Sequence, residues 1–533
     1  MMAHHGWVAV DPGMLQKAYR SPFGRLFPAR SHQYNSHAIS LLAGALGPLQ
    51  AGGFPSKQAG TGLAAGFTFL GQFIDHDLTE FRVVTPELAF LEQNPIIGQR
   101  QQVLQDGGLT STNGRTGSLD LDSVYGLLGG PDGALFDEKG YFKLREHNGV
   151  PVDIERLTDY RDGRRIADPR NDENKIIVQL HVLFERLHNK LHVPPTTDTL
   201  EDRVASIKAT RAKVVRVFRQ IVVKDYLPRV ANPDIIQDVW SKLQEGKTFY
   251  QKMNRDVRNA LVPRLELAGG KDVTGFDLRD VTAMPVEFAH AVFRLGHSQL
   301  RDSYKLTGSK GLRLFNTMTS GNAPQDPRDL RGNAKIDDDI VIDWKFFFGL
   351  RDHDGGEAQS GEPLDANLPA SIFRLPPPSI GEPPISLAER NIRRGVDFGL
   401  PSGQEVAYAL RSTYGAGIAV LSPDQVLPIG TVAEYPEIRD IDAGFAVDTP
   451  LWLYILREAS EQAPTASHLG HVGSYIVAET ILGSLYNSPD FDLAPLMTNY
   501  GVPADSSAPS APAKWEDIFH MTQMLGFLAI SGF

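Results

Sequence analysis

Apolar residues recur at helical spacing in six stretches of the 533-residue chain, near residues 63–81, 173–192, 202–228, 284–300, 404–411 and 469–486, and each predicts a helix. Strand-like alternation is scarce. Its clearest instance, DDDIVIDW at 337–344, reads as a short strand. The 50 Gly and 36 Pro residues cluster in GGPDGALFDEKG (129–140), DHDGGEAQSGEP (352–363) and RLPPPSIGEPP (374–384), which read as loops. The pattern predicts a mainly α protein with few short strands and long loops. No low-complexity linker or internal repeat interrupts residues 30–485. One large domain is therefore expected over residues 25–490, after an N-terminal extension of residues 1–24. Residues 491–533 form a tail in which the Pro/Ser/Ala-containing VPADSSAPSAPAK (502–514) tethers a docked apolar segment, FHMTQMLGFLAI.

Composition narrows the functions open to this chain. With 41% apolar and 22% charged residues it belongs with folded proteins. A net charge of −11 argues against nucleic acid or an anionic membrane as the main partner. No apolar run approaches the roughly 18 residues needed to cross a bilayer. The start, MMAHHGWVAVDPG, lacks the features of a Sec-type signal peptide. The chain has no Cys. That excludes disulfides, thiolate metal sites, a Cys nucleophile and c-type haem attachment, and leaves metals to His, carboxylate, hydroxyl and carbonyl groups. It fits either the cytoplasm or secretion without a Sec-type signal.

Three predicted helices carry unusual polar residues. In GFTFLGQFIDHDLTEF (66–81), Leu70, Phe73, Ile74, Leu78 and Phe81 form an apolar stripe, with Gln72, Asp75, His76 and Thr79 on the other side. That polar side could be a solvated surface. Asp77 falls inside the stripe, where a carboxylate needs a cation or several hydrogen bonds to offset desolvation. RTGSLDLDSVYG (115–126) offers a candidate cation site, because Thr116, Ser118, Asp120 and Asp122 place oxygen at every second position, which suits a hard cation such as Ca²⁺, although a D-x-D turn on its own is more often an exposed loop. In ENKIIVQLHVLFERLHNKLH (173–192), His181, His188 and His192 flank the stripe beside Glu185. In MPVEFAHAVFRLGHSQLRD (284–302), with Pro285 at the helix start, His290, Arg294 and His297 lie close to one face.

Two metal readings follow from spacing. Glu185 with His188, and Glu287 with His290, form a pair of E-x-x-H motifs that suit a carboxylate-bridged dinuclear site. The other reading is a haem between helices, with either His290 or His297 as axial ligand and another His with an Arg on the opposite face. Spacing alone leaves that choice open.

Six segments in order resemble the animal-type haem peroxidases of the peroxidase and cyclooxygenase superfamily, in a compact bacterial, peroxicin-like form. They are GQFIDHDL (71–78), TGSLDLDSVYG (116–126), RNDENKIIVQLHVLFERLHNKL (170–191), FRQIVVKDYLP (218–228), FRLGHSQL (293–300) and RNIRRGVDFGLP (390–401). The resemblance runs from about residue 25 to 490 and implies a haem b peroxidase. It makes His297 the axial ligand and Asn391 its hydrogen-bond partner, with Arg294 and Arg394 serving the haem propionates or the proximal network. His76, Gln72 and Arg170 take the peroxide-handling positions, and Asp77, Thr116, Ser118, Asp120 and Asp122 the calcium site. Asp75 and Glu173 take the positions that form ester bonds to haem methyl groups. The implied activity reduces hydrogen peroxide through an oxoferryl intermediate and oxidises small electron donors.

Departures from the family refine the donor class. Asn174 stands where the myeloid member has a sulfonium-forming Met, which favours bromide, iodide, thiocyanate or phenols over chloride. Arg294 replaces the radical-forming Tyr of the fatty-acid dioxygenases and cyclooxygenases, which favours a peroxidase over a dioxygenase. Asp122 replaces the usual Ser of the calcium loop and is expected to ligate. An adhesion or matrix protein retaining the fold is the reading from another class; His76, Arg170, His297 and Asn391 together speak against it. The sequence does not set the oligomeric state.

Overall fold

The structure, a computed structural model, describes residues 8–9, 23–30, 34–44, 48–49, 54, 63–83, 111–126, 134–157, 163–197, 199–267, 282–316, 328–348, 358–375, 386–428, 437–463, 468–486, 488–498, 500–501 and 511–530. Most of the extension at 1–24, and large parts of the loops at 129–140, 352–363 and 374–384 and of the segment 502–514, lie outside these residues.

Helices dominate. In chain order the principal ones are α1 (Ser36–Ala43), α2 (Ala65–Leu78), α3 (Lys175–Leu191), α4 (Leu200–Ile221), α5 (Pro233–Gln244), α6 (Phe249–Leu267), α7 (Val286–His290), α8 (Leu387–Asp397), α9 (Gly403–Tyr414), α10 (Leu451–Gln462) and α11 (His471–Tyr486). Their starts follow from capping chemistry. Asn35, Asn174, Thr199, Asn232, Ser386 and Ser402 each accept a first-turn backbone N–H of the helix that follows. α4 continues through a π-helical turn, Val222–Tyr226, into Leu227–Val230 and stops before Asn232, which is followed by Pro233 at the start of α5. No helix among the described residues is long and apolar enough to cross a membrane.

The core is aromatic where α2, α3 and α4 meet. Phe73 of α2 stacks on Phe184 of α3 at 4.9 Å and meets the edge of Phe218 of α4 at 5.8 Å. Burying each such ring stabilises the fold by about 1.5–3 kcal/mol. α11 is buried on nearly every side from Val472 to Leu485, packing against α5, α6, α9 and α10. Its inward Glu479 accepts the Tyr250 N–H at 2.7 Å and the Tyr414 hydroxyl.

Strands are short: β1 (Phe23–Gly24), β2 (Phe81–Val83), β3 (Ser111–Asn113), β4 (Leu144–His147), β5 (Val150–Ile154) and β6 (Met284–Pro285). β2 pairs antiparallel with β3, setting Phe81 opposite Asn113, and β1 pairs parallel with β6. β4 and β5 form a hairpin whose turn residues Asn148 and Gly149 both have positive φ (51° and 75°), the conformation Asn-Gly favours.

Two sequence expectations are corrected. Residues 284–300 are not one helix: Pro285 caps α7, the backbone breaks at Ala291 (φ −135°, ψ −70°), and a 3₁₀ segment carries Val292–His297. His290 and His297 therefore do not share a helical face. DDDIVIDW is not a strand: Asp338–Ile340 form a 3₁₀ turn, and Gln179 of α3 bonds the Ile340 carbonyl and the Ile342 N–H at 3.3 and 2.8 Å. Its alternation buries Ile340 and Ile342 without a strand partner. Near the end of the described residues a helix spans Met521–Phe527, its first N–H accepted by Asp225 at 2.8 Å.

Close packing holds α2 in place at Gly66. A Cβ there would lie 2.7 Å from the Phe347 carbonyl oxygen and 2.6 Å from the Phe348 ring. Gly66→Ala is expected to cost about 1–3 kcal/mol by overpacking, less the ~1 kcal/mol that alanine returns in helix propensity. A denaturation midpoint at or above wild type would contradict this contact.

Candidate functional site

α2 ends in the sequence Asp75-His76-Asp77-Leu78, and its last carbonyls are held by a cation. Arg170, buried in the 3₁₀ turn Pro169–Asp172, donates to the carbonyls of Thr79 (2.6 Å) and His76 (2.8 Å) and to both oxygens of Asp168. A guanidinium at a helix C-terminus satisfies carbonyls that have no partner within the helix and complements the helix dipole. Burial raises the Asp168 carboxyl, yet Arg115 and Arg170 outweigh it and hold the group well below the usual range. Asp168 also anchors Arg115 at 2.6 Å, and Arg115 reaches Glu80 at 3.2 Å and Asp122 at 3.4 Å.

His76 is buried. Its Nδ1 lies 2.8 Å from Asn171 Oδ1 and its Nε2 3.7 Å from Glu173 Oε1. Burial, reinforced by the Arg170 charge, lowers its pKa to about 3, so the ring is neutral at pH 7. Gln72, one turn earlier, donates to Glu173 and accepts from Asn174 Nδ2 at 3.2 Å. Asn174 is held twice, since its Oδ1 also caps α3. Burial pushes Glu173 up to about 7 against the pull of Arg170. Asp75, bonded by the Thr79 hydroxyl at 2.9 Å, is likewise raised by burial while Arg294, Arg170 and Arg394 pull it back. Arg294, from the His297 segment, and Arg394, from α8, thus lie close enough to act on the carboxyl of α2.

Asp77 is fully buried and turned to the loop at 116–123. It accepts the N–H groups of Leu121 (3.0 Å) and Ser123 (3.2 Å) and the Ser123 hydroxyl (2.9 Å). Gly117, Leu119 and Leu121 alternate in the left-handed region, at φ 71°, 50° and 57°. Two leucines there cost free energy, which burial of both side chains and bonds from Arg219 to the Ser118 and Leu119 carbonyls offset. The loop brings the ligand atoms of Asp77, Asp120 and Asp122 within 4.8 Å of one another, the one such three-residue group among the described residues. Burial, with Asp122 and Asp120 nearby, raises Asp77 to about 7. Thr116 joins the cluster, donating its hydroxyl to Asp120 (2.9 Å) and its N–H to Asp122 (3.2 Å). The Ser118 hydroxyl turns elsewhere, to Thr282 at 3.1 Å.

On the segment that also carries Arg294, His297 Nδ1 lies 2.8 Å from the side-chain amide of Asn391 on α8. The amide nitrogen faces the ring, and a half-turn presents Oδ1 to a protonated Nδ1. The Arg294 carbonyl accepts the Trp452 indole N–H at 3.3 Å, tying this segment to α10. The segment touches α2 where Gly296 faces Thr68. His290 is no alternative ligand: its ring is enclosed by Phe23, Phe81 and Phe398, stacking on the last at 4.1 Å. The residues around Asp75 and His297 fit a haem. Buried polar atoms of Thr68, Arg294 (Nε) and Gln299 (Nε2) have no hydrogen-bond partner, two arginines act on the raised carboxyl of Asp75, and His297 has an amide at its Nδ1.

The dinuclear reading is overturned. Glu287 accepts the Leu26 and Phe27 N–H groups at 3.1 Å each, and His188 uses its two nitrogens on Tyr125 and the Gly140 carbonyl, at 3.0 Å each. Sequence reasoning missed Asp168, Arg115 and Asn171. Asp168 before Pro169 is a capping pattern that could have been read; a lone Asn offers no such pattern.

The family model described as animal haem peroxidase matches residues 54–411. A comparison with curated protein sequences finds no match. The fold is similar to that of peroxidase A from Dictyostelium discoideum, with 15% identity and a TM-score of 0.54 over 91% of this chain and 92% of that one. Fatty acid alpha-dioxygenase from Arabidopsis thaliana shares 14% identity at a TM-score of 0.48, over 97% of this chain and 81% of that one. The Oryza sativa fatty acid alpha-dioxygenase shares 14% identity at a TM-score of 0.47, over 99% and 86%. These likenesses concern the fold. The family match takes in α2, the acidic loop, Arg170, His297 and Asn391, and the chain belongs to the animal haem peroxidase family.

Proposed function

We propose that this peroxidase binds haem b with His297 as axial ligand and Asn391 behind it, and handles hydrogen peroxide with His76, Arg170 and Gln72. The observation that carries the reading is a buried imidazole at the end of α2, held at Nδ1 by Asn171 with Nε2 toward Glu173, together with a second histidine, His297, held at Nδ1 by Asn391. When bound, the haem supplies an iron that coordinates peroxide and takes up its two oxidising equivalents. His76 Nε2 accepts one peroxide proton and delivers it to the departing oxygen, which leaves as water. Arg170 stabilises negative charge on that oxygen through its field, because its N–H groups hold Asp168 and the α2 carbonyls. Two one-electron donors, or one halide giving two electrons, complete turnover. Bromide, iodide, thiocyanate and phenols are the donors favoured over chloride.

Arg294 and Arg394 supply cations for the propionates. Asp75 and Glu173, which burial favours in the protonated form, supply carboxyls for ester bonds to haem methyl groups. Asp77, Asp120, Asp122, Thr116 and Ser118 hold Ca²⁺, Ser118 through a turn of its hydroxyl or through its carbonyl. The cation offsets the mutual repulsion of three close carboxylates.

His76→Ala is expected to slow the reaction with peroxide about 10²–10⁴-fold in stopped-flow spectra, with the Soret band retained; an unchanged rate constant would remove His76 from the mechanism. Acidified butanone is expected to leave the haem on the wild-type chain and to extract it from an Asp75→Val, Glu173→Gln double variant. Complete extraction from wild type would refute the ester bonds. Stripping Ca²⁺ is expected to lower Tm and the peroxide rate together, the loss amounting to about 2.7 kcal/mol of binding stabilisation at a hundredfold excess of ion over Kd. Insensitivity to a strong chelator would count against that ion.

A further inference from the structure

Behind His76 runs a buried polar chain that the peroxide chemistry above does not use. His76 Nδ1 lies 2.8 Å from Asn171 Oδ1, Asn171 Nδ2 lies 3.1 Å from His181 Nδ1, and His181 Nε2 lies 3.2 Å from Glu185 Oε1. All four side chains are buried. Asn171 sits in the 3₁₀ turn beside Arg170, whereas His181 and Glu185 are one turn apart on the same side of α3. His181 also packs edge-on against Phe73 of α2, at 6.3 Å, so the chain crosses the core between the two helices.

Donor and acceptor roles run in a single direction along it. An amide oxygen only accepts and an amide nitrogen only donates. Asn171 Nδ2 also lies 3.4 Å from the Ser123 carbonyl oxygen, an acceptor. A half-turn of the amide would set two oxygens against each other there and break the bond to His181, so Ser123 fixes which end of Asn171 faces which histidine. His76 must then carry its proton on Nδ1, leaving the Nε2 lone pair free. His181 must accept at Nδ1 and so carries its proton on Nε2, facing Glu185. His181 Nε2 approaches Glu185 Oε1 to 3.2 Å as an ion-pair contact without the alignment of a hydrogen bond, Glu185 Oε2 has no hydrogen-bond partner in the structure, and burial raises the carboxyl against the pull of His181. A buried carboxylate of this kind costs several kcal/mol of desolvation unless paired. Its facing partner on α3 is the last ring of the chain.

We infer that Asn171, His181 and Glu185 are positioning residues for His76, holding its imidazole in the Nδ1–H tautomer with Nε2 presented to peroxide. The inference rests on the peroxidase reading. Each donation sharpens the next, because a histidine that donates to a carboxylate accepts more strongly at its other nitrogen. The Ser123 link ties the same chain to Asp77, which Ser123 bonds through both its N–H and its hydroxyl. The acidic loop thereby sets the tautomer of His76 as well as the place of α2.

The test uses the full-length holoenzyme and three readouts: the peroxide rate constant, the Kd for cyanide, and the ring-nitrogen protons of His76 in the cyanide adduct of ¹⁵N-histidine-labelled protein. Cyanide serves because hydrogen cyanide must surrender its proton as it binds. If wild type lacks a Soret band or does not react with peroxide, the peroxidase reading fails and the inference with it. Given a reactive wild type, Asn171→Leu is expected to slow peroxide and weaken cyanide about 10–100-fold, and to lose the slowly exchanging Nδ1 proton. Asn171→Asp keeps an oxygen for that proton and is expected to recover to within about threefold of wild type. Glu185→Gln, nearly isosteric, is expected to reduce both constants about three- to tenfold with an unchanged Soret band and Tm. Equal losses in Asn171→Leu and Asn171→Asp would reduce Asn171 to packing and overturn the inference. Should Asn171→Leu fail to fold, Glu185→Gln decides: wild-type constants and a wild-type Nδ1 proton signal overturn it.

Discussion

The carboxylate of Asp77, removed from water inside the core, is the constraint from which the rest of the site follows. Its desolvation must be offset, and the chain does this by bending residues 116–123 around it with three donors, at the cost of left-handed leucines. That bend brings Asp120 and Asp122 to the same point, which worsens the charge repulsion until cations are placed around it. Arg115 reaches Asp122, Arg211 bonds Asp120, and Arg219 holds two loop carbonyls. Through Asp168, Arg115 is joined to Arg170, and Arg170 closes on the end of the helix from which Asp77 came. The ring of ionic contacts begins and ends on α2. A rearrangement at any member leaves a buried charge without its counterpart, and such losses are typically worth 3–5 kcal/mol.

The two faces of α2 therefore do different work although their residues alternate. Asp75 and His76 lie toward Glu173 and the arginines, and Asp77 meets the loop. In the proposed function one residue of rotation separates a group that exchanges a proton from one that is fixed. Placing the fixed group next to the reactive one limits how far the imidazole can move without disturbing the anchor.

Much of this was legible from residue pattern. The stripe on α2 exposed Asp77 as anomalous, the alternating oxygens at 116–122 suggested its partner, and the helices at 173–192 and 469–486 followed from apolar spacing. What escaped reading has physical causes. The break at Ala291 leaves no mark because no Gly or Pro stands there; it comes from packing against α2 and α10. DDDIVIDW alternates as a strand does, but side-chain bonds from Gln179 replace the missing ladder, and no local pattern announces a partner more than 150 residues away. Asn148-Gly149 was a readable hairpin signal that passed unnoticed. His181 and Glu185 drew attention through their types, but only the folded chain shows that Asn171 joins His181 to His76.

The break at Ala291 has a mechanical side. A continuous helix from Pro285 to His297 would behave as a lever, passing any displacement of the histidine to α7, where Glu287 grips the backbone of Leu26 and Phe27. A 3₁₀ turn after a kink behaves as a spring mount. With His297 as the proposed ligand, the kink at Ala291 would let the histidine shift without turning α7, while Asn391 and Trp452 brace its segment from the side. The β1 and β6 pairing next to α7 is separated from the histidine by that kink.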